Sequence, residues 1–238
     1  MTRTAVIAGV GPGLGESLAE RFAAEGYAVG LLARSESYLD DLAERIDEQS
    51  PGTALAVPTD LADPLTIDAA FEEVRESLGA VDVLVNHASA ATWEGVREQD
   101  AETFRRALAV GPEAALHCSK AVVDEMATGD GGTIIFTGAT TSQRGREGAL
   151  GFSAAKFACR GMAQSMAREL GPEGIHVAHV VIDGQILPPD GVPDNRDPVS
   201  FLDPDAIANS YWSLVEQDVE TMTHEVHVTN GTQSIEFL

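Results

Sequence analysis

The chain has 238 residues, 44% of them hydrophobic, and its 38 Asp and Glu against 15 Lys and Arg give a formal net charge of −23. That length and apolar content suit one α/β domain with a sizeable core rather than a disordered acidic chain, and the charge argues against nucleic acid and anionic membranes as partners, since both would repel it. No apolar run approaches the roughly 18 residues of a membrane span, and two cysteines, Cys118 and Cys159, are too few for a disulfide framework and lack metal-ligand spacing.

The chain reads directly from its first residues into a strand, without the basic start and cleavage site of a secretory leader, so a cytoplasmic compartment is the expectation. Lysine occurs only at Lys120 and Lys156, and the sequence pI is near 4.4. Self-repulsion on that scale destabilises a compact chain in dilute buffer and is screened by molar salt, which points to a salt-loving host.

Short apolar runs alternate with longer periodic stretches, the pattern of βαβ units on a parallel sheet. Strands are expected over 4–9, 28–33, 54–58, 81–86, 133–138, 176–182 and 224–228. Helices are expected over 15–25, 36–49, 63–78, 101–127, 153–170 and 204–217. Asp63-Pro64 and Asp203-Pro204 each pair an N-cap carboxylate with Pro at the first helical position. Gly26, Gly79 and Gly171 fall where a left-handed C-terminal cap is wanted, and Pro112 disturbs the long fourth helix. The whole reads as a single Rossmann-type domain over 1–238, a doubly wound parallel sheet of about seven strands with helices on both faces. The Pro-, Gly- and Asp-rich stretch 183–204 is expected to be a flexible substrate loop.

The first strand runs into Gly9-Val10-Gly11-Pro12-Gly13-Leu14-Gly15 and then a helix. Glycines there let the backbone turn tightly and approach a pyrophosphate, whose charge the helix N-terminus favours. At the end of the second strand, where an acidic residue would grip ribose hydroxyls, the chain has Arg34 and Ser35. A guanidinium and a hydroxyl suit an adenosine 2′-phosphate, which favours NADP(H) over NAD(H). A surface pairing of Arg34 with Glu36 or Asp40 is the plainer alternative.

The spacing of Gly9, Gly13 and Gly15 resembles that of the short-chain dehydrogenase/reductase family, and further matches follow in order over nearly the whole chain. Thr59-Asp60-Leu61 is similar to the family's Asp-Val/Leu pair at the adenine ring. Asn86-His87-Ala88-Ser89 is similar to its Asn-Asn-Ala-Gly turn, Ser153-Ala154-Ala155-Lys156 to its Tyr-x-x-x-Lys segment, and Asp183-Gly184 to its Pro-Gly. The resemblance implies cofactor contacts at Gly9, Gly11, Gly13, Leu14, Gly15, Arg34, Ser35, Asp60, Leu61, Asn86, Ala88, Lys156, Gly184 and Ile186.

It also implies a departure. The family reduces a carbonyl with Ser, Tyr, Lys and usually Asn, the Tyr passing the proton and the Ser polarising the carbonyl. Here Phe152, Ala139 and Gly111 occupy the usual Tyr, Ser and Asn positions, and of the four only Lys156 remains as a catalytic candidate. Substitute groups lie nearby in Thr140, Thr141, Ser142, His87 and Ser89, with His87 the side chain that ordinarily titrates near neutral pH. Against His87 stands the commoner role of a histidine beside a tight turn, structural hydrogen bonding. No histidine cluster suggests a metal site, and the Tyr211-Trp212 stretch reads as packing or subunit contact.

Two classes of function fit. One is an NAD(P)(H)-dependent oxidoreductase acting on an unidentified small carbonyl, alcohol or activated alkene with modified proton delivery. The other is a non-catalytic NADP(H)-binding pseudoenzyme, a redox sensor or regulatory subunit. The family resemblance further implies a homo-oligomer, a tetramer or dimer, built through the fourth and fifth long helices and the C-terminal tail.

Overall fold

In the computed structural model, which describes residues 2–194 and 196–231, seven parallel strands form one sheet in the order β3-β2-β1-β4-β5-β6-β9. The strands are β1 (Thr4–Ala8), β2 (Ala28–Ala33), β3 (Thr53–Pro58), β4 (Val83–Asn86), β5 (Gly132–Thr137), β6 (Ile175–Asp183) and β9 (Glu225–Thr229). The chain moves outward from β1 to β3 and then returns past β1 to β4, so the winding reverses between β1 and β4. Ala8 on β1 therefore pairs with Leu32 on one side and Asn86 on the other. Ligands of open α/β sheets bind in the crevice outside the carboxyl ends of strands at such a reversal.

Strands buried on both faces carry near-continuous apolar runs, and β1 and β4 are buried throughout. One face packs α1 (Leu14–Ala24), α2 (Glu36–Gln49) and α7 (Pro204–Val215) around Leu18, Phe22, Leu42 and Tyr211. The other packs α3 (Pro64–Leu78), α5 (Ala114–Thr128) and α6 (Leu150–Leu170) around Phe71, Val74, Cys118 and Val122. Each such large side chain contributes about 1.5–3 kcal/mol by leaving water.

Asp63 and Asp203 cap α3 and α7 as expected, each accepting the backbone N–H two residues on at 3.0 Å. Gly26 and Gly79 have the positive φ of a left-handed end, but Gly171 is right-handed and opens a short 3-10 turn that Gly174 closes at φ +81°. The expected helix over 101–127 is broken into α4 (Ala101–Leu108), a π turn (Ala109–Glu113) and α5. Pro112 has no N–H for the helical ladder, and the wider turn absorbs the gap. α6 starts at Leu150 rather than Ser153, which places Phe152 inside its first turn.

The stretch 183–204 is more regular than a bare loop. Its β7 (Gln185–Ile186) pairs in parallel with β8 (Phe201–Leu202), and Pro198–Ser200 form a 3-10 turn between them. Among the described residues, no helix is long and apolar enough to cross a membrane.

Candidate active site

The carboxyl ends of the strands open into a cleft with two halves, of about 1020 and about 1000 Å³, and His87, Ser89 and Ile186 line both.

The first half lies over the glycine turn. Gly9 has φ +109°, and a Cβ there would sit 2.6 Å from the Ala88 backbone. The loops after β1 and β4 therefore touch at a point where only glycine fits. Gly13, at φ +99°, precedes α1 with open space beside it, and no side chain caps the helix. The Leu14 and Gly15 amides at its start thus remain open to an anion, while that of Glu16 donates to the Gly11 carbonyl at 3.1 Å. Glu16 in that turn is neutralised from behind, taking the Tyr38 hydroxyl at 2.6 Å and pairing with Arg45. Arg34, Ser35, Asp60, Leu61 and Ala88 line the same half, and the exposed Arg34 has no carboxylate within salt-bridge distance among the described residues. The pairing with Glu36 or Asp40 is not formed. These features suit a dinucleotide with an extra phosphate, the glycine turn taking the pyrophosphate and Arg34 the 2′-phosphate.

Three of the expected cofactor contacts, Asn86, Gly184 and Lys156, lie outside the first half. Asn86 is buried under the cleft, its amide donating to Ser119 at 3.2 Å while its Oδ1 makes no hydrogen bond among the described residues. As the last residue of β4 it faces α5, a position from which it holds the sheet to the helix. Gly184 lines the second half rather than the first, against the Leu202 side chain.

The second half is floored by Lys156, 5% exposed, whose Nζ donates to the Thr137 carbonyl at 2.7 Å. Burial pushes its pKa below the ordinary lysine value. Phe152 stands one turn earlier on the same face of α6, and the ammonium lies 5.7 Å from the centre of its ring. The lysine thus meets an aromatic face where a hydroxyl would be a hydrogen-bond partner. Ala139, just after β5, lines this half with no polar group to offer. Gly111, in the π turn, approaches α6 so closely that a Cβ would lie 3.3 Å from the Ala155 side chain.

Two of the neighbouring hydroxyls are committed, whereas the buried Thr141 Oγ1, on the lining of this half, has no hydrogen-bond partner among the described residues. Thr140 donates to Asp183, and Ser142 is fully buried and takes the Ala139 N–H at 3.0 Å. Ser142 lies outside the cleft lining, so it does not reach a ligand.

His87 sits at the junction of the halves. Its Nδ1 lies 3.1 Å from the Thr137 hydroxyl, which lies 2.8 Å from the Tyr211 hydroxyl. Tyr211 is fully buried with Thr137 as its only hydrogen-bond partner among the described residues. All of these groups are satisfied when Tyr211 donates to Thr137 and Thr137 to His87 Nδ1, which assigns the ring hydrogen of a neutral His87 to Nε2. Burial, helped by the Lys156 ammonium, pushes the His87 pKa down to about 4. The imidazole is neutral at physiological pH, contrary to the expectation of a group titrating there. Sequence reasoning assigned Tyr211 to packing and did not single out Trp93, Arg146 or Arg196. No spacing in the sequence links α7 to β5.

Residues 3–185 match the family model described as short chain dehydrogenase. A 3alpha-hydroxysteroid dehydrogenase of Mediterraneibacter gnavus is 30% identical over 177 residues, 74% of this chain and 70% of that one. A meso-2,3-butanediol dehydrogenase of Serratia marcescens is 32% identical over 178 residues, 75% and 69% of the two chains. Among solved structures, L-sorbose reductase of Gluconobacter frateurii, complexed with NADPH and L-sorbose, superposes with a TM-score of 0.88 at 27% identity, covering 97% of this chain and 96% of its own. The alcohol dehydrogenase of Thermococcus sibiricus, complexed with 5-hydroxy-NADP, shares the fold at a TM-score of 0.90 and 22% identity over the full length of both.

Proposed function

Because the chain belongs to the short chain dehydrogenase family, we propose that it is an NADP(H)-dependent oxidoreductase acting on a small carbonyl or alcohol, or an activated alkene, with proton delivery that does not use the usual Tyr and Ser. The carrying observation is the meeting of two half-clefts at His87, one built for a phosphate-bearing ligand and one floored by a buried lysine. A relative solved with NADPH supports the choice of cofactor, as does Arg34, which has no carboxylate partner among the described residues.

When bound, the cofactor supplies or accepts a hydride at its nicotinamide. The chain's own residues then do the rest. Lys156, held by the Thr137 carbonyl, presents a charge at the floor of the cleft. His87 donates from Nε2 to the substrate oxygen as a neutral hydrogen-bond donor, oriented by Thr137 and Tyr211. Phe152 offers an apolar wall in place of an acid. Water in the open cleft delivers the proton. The absence of a hydroxyl at Phe152 and Ala139 is the observation that favours a second reading, an NADP(H)-binding protein without turnover. Transfer of deuterium from [4-²H]NADPH to a carbonyl product, read by mass spectrometry, separates the two; cofactor binding without transfer to any of a broad set of carbonyls and enones supports the second reading and contradicts the first.

The same reading places the protein in the cytoplasm as a homo-oligomer. Leu116 and Phe157, exposed large apolar residues on α5 and α6, support such an assembly.

A further inference from the structure

The second half of the cleft departs from the charge of the rest of the molecule. In a chain with 15 cations and 38 carboxylates, four cations (Arg144, Arg146, Lys156 and Arg196) line it against two carboxylates, Glu147 and Asp183, and Thr140 engages the second. In a protein of net charge −23, the described lining of this space carries two more cations than carboxylates.

Two of those cations are arranged alike. The Arg146 guanidinium lies 5.1 Å from the centre of the Trp93 ring, and that of Arg196 lies 5.5 Å from the centre of the Phe201 ring. Neither has a carboxylate within salt-bridge distance among the described residues. Arg196 donates through Nη2 to Gln185 at 2.6 Å, which fixes one end of the group. A guanidinium lying over a ring at that distance leaves its N–H edge available to a planar bidentate acceptor. Beside them Trp93, 60% exposed, packs its ring 5.6 Å from that of Phe152. This is an aromatic surface left open to water next to two cations with no carboxylate partner among the described residues.

We infer that the substrate is a carboxylate with an aromatic or otherwise apolar body, its carboxylate held by Arg146 and Arg196 and its body against Trp93 and Phe152. The inference names the substrate class of the oxidoreductase proposed above and rests on that reading. The positive lining also answers a difficulty of the whole molecule, whose field repels anions at a distance and needs a local reversal to admit one.

The test uses the full chain at one KCl concentration where the fold is intact. Benzoylformate and its methyl ester share a skeleton and differ in the charge. Calorimetric titration of the NADP⁺-loaded protein with each is expected to show the acid binding roughly tenfold or more tighter, as a charge-assisted pair provides. Arg146→Gln and Arg196→Gln should each remove most of that preference, leaving the ester's affinity and NADPH fluorescence titration unchanged. Equal or tighter binding of the ester, or a preference that survives in the double variant, overturns the anion site while the oxidoreductase reading stands. Failure of NADPH itself to bind overturns the reading beneath, and the inference with it.

Discussion

The hydroxyls of Thr137 and Tyr211 share a buried hydrogen bond of 2.8 Å, and through it α7 reaches the junction of the two half-clefts. Because Thr137 also lies 3.1 Å from His87 Nδ1, the two ends of the chain of bonds differ in consequence. Tyr211→Phe removes one hydrogen bond and should cost about 1 kcal/mol of stability. Thr137→Val strands the Tyr211 hydroxyl in the core and should cost about 1–3 kcal/mol. Urea unfolding at fixed KCl measures both, and equal stability of the two variants would remove the basis for assigning the His87 tautomer. His87→Ala, which loses the donor itself, should lower turnover by about 10²–10³ with NADPH affinity changed only a few-fold.

Phe152 stands over the Lys156 ammonium where a phenol would find its partner. Phe152→Tyr, combined with Ala139→Ser, should raise carbonyl reduction by on the order of 10² or more, since a positioned general acid contributes about 10²–10⁴. The effect is to be read in kcat, with KM moving less. A pair of substitutions that left kcat unchanged would show that proton delivery does not limit this protein.

The pH dependence of stability follows from two histidines held neutral. Burial keeps His87 at about 4 and, against the pull of Glu225, His179 at about 4 as well. The unfolded chain takes up these protons near pH 6.5, and the folded chain does so only near 4. Stability is therefore lost as pH falls through that window. Burial raises the Glu225 carboxyl, but its bonds to Arg160 at 2.7 and 2.8 Å and to His179 prevail, holding it at about 2, so it stays ionised there. Tm is expected to drop between pH 7 and pH 5, and by less in His87→Asn. The comparison removes the opposing effect of the other carboxylates, which gain from protonation. An identical drop in both proteins would contradict a neutral, half-buried His87.

With 38 carboxylates against 15 cations, the fold carries a repulsion that salt relieves. At 1 M the screening length is about 3 Å, short enough to isolate neighbouring surface charges. Tm should rise steadily from low to molar KCl. A flat or falling curve would end the case for a salt-loving host.

Much of the architecture was legible because parallel strands buried on both faces write themselves as apolar runs, as in β1 and β6, and because Asp63 and Asp203 mark their helix starts. The glycine turn was legible for the same kind of reason: Gly9 and Gly13 answer local steric demands that a spacing records. The break at Pro112 could be anticipated, but not the π turn that accommodates it, since that depends on where α5 must dock. The Tyr211–Thr137–His87 connection joins residues 74 and 50 positions apart and leaves no local trace. The depressed His87 pKa arises from burial and from Lys156, both products of tertiary structure. The ring contacts of Arg146 and Arg196 were invisible for a similar reason: their partners Trp93 and Phe201 are set by how the loops fold back over the cleft.

On the proposed function, the first half of the cleft takes NADP(H) and Arg34 meets its 2′-phosphate. Fluorescence titration of the protein with NADPH and with NADH in molar KCl, repeated on Arg34→Ala, tests it most directly. The account requires NADPH to bind at least about tenfold more tightly than NADH, and Arg34→Ala to erase most of that difference while leaving NADH affinity alone, as loss of a charge-assisted bidentate contact implies. Binding of neither nucleotide, or a preference for NADPH that survives in Arg34→Ala, would contradict it.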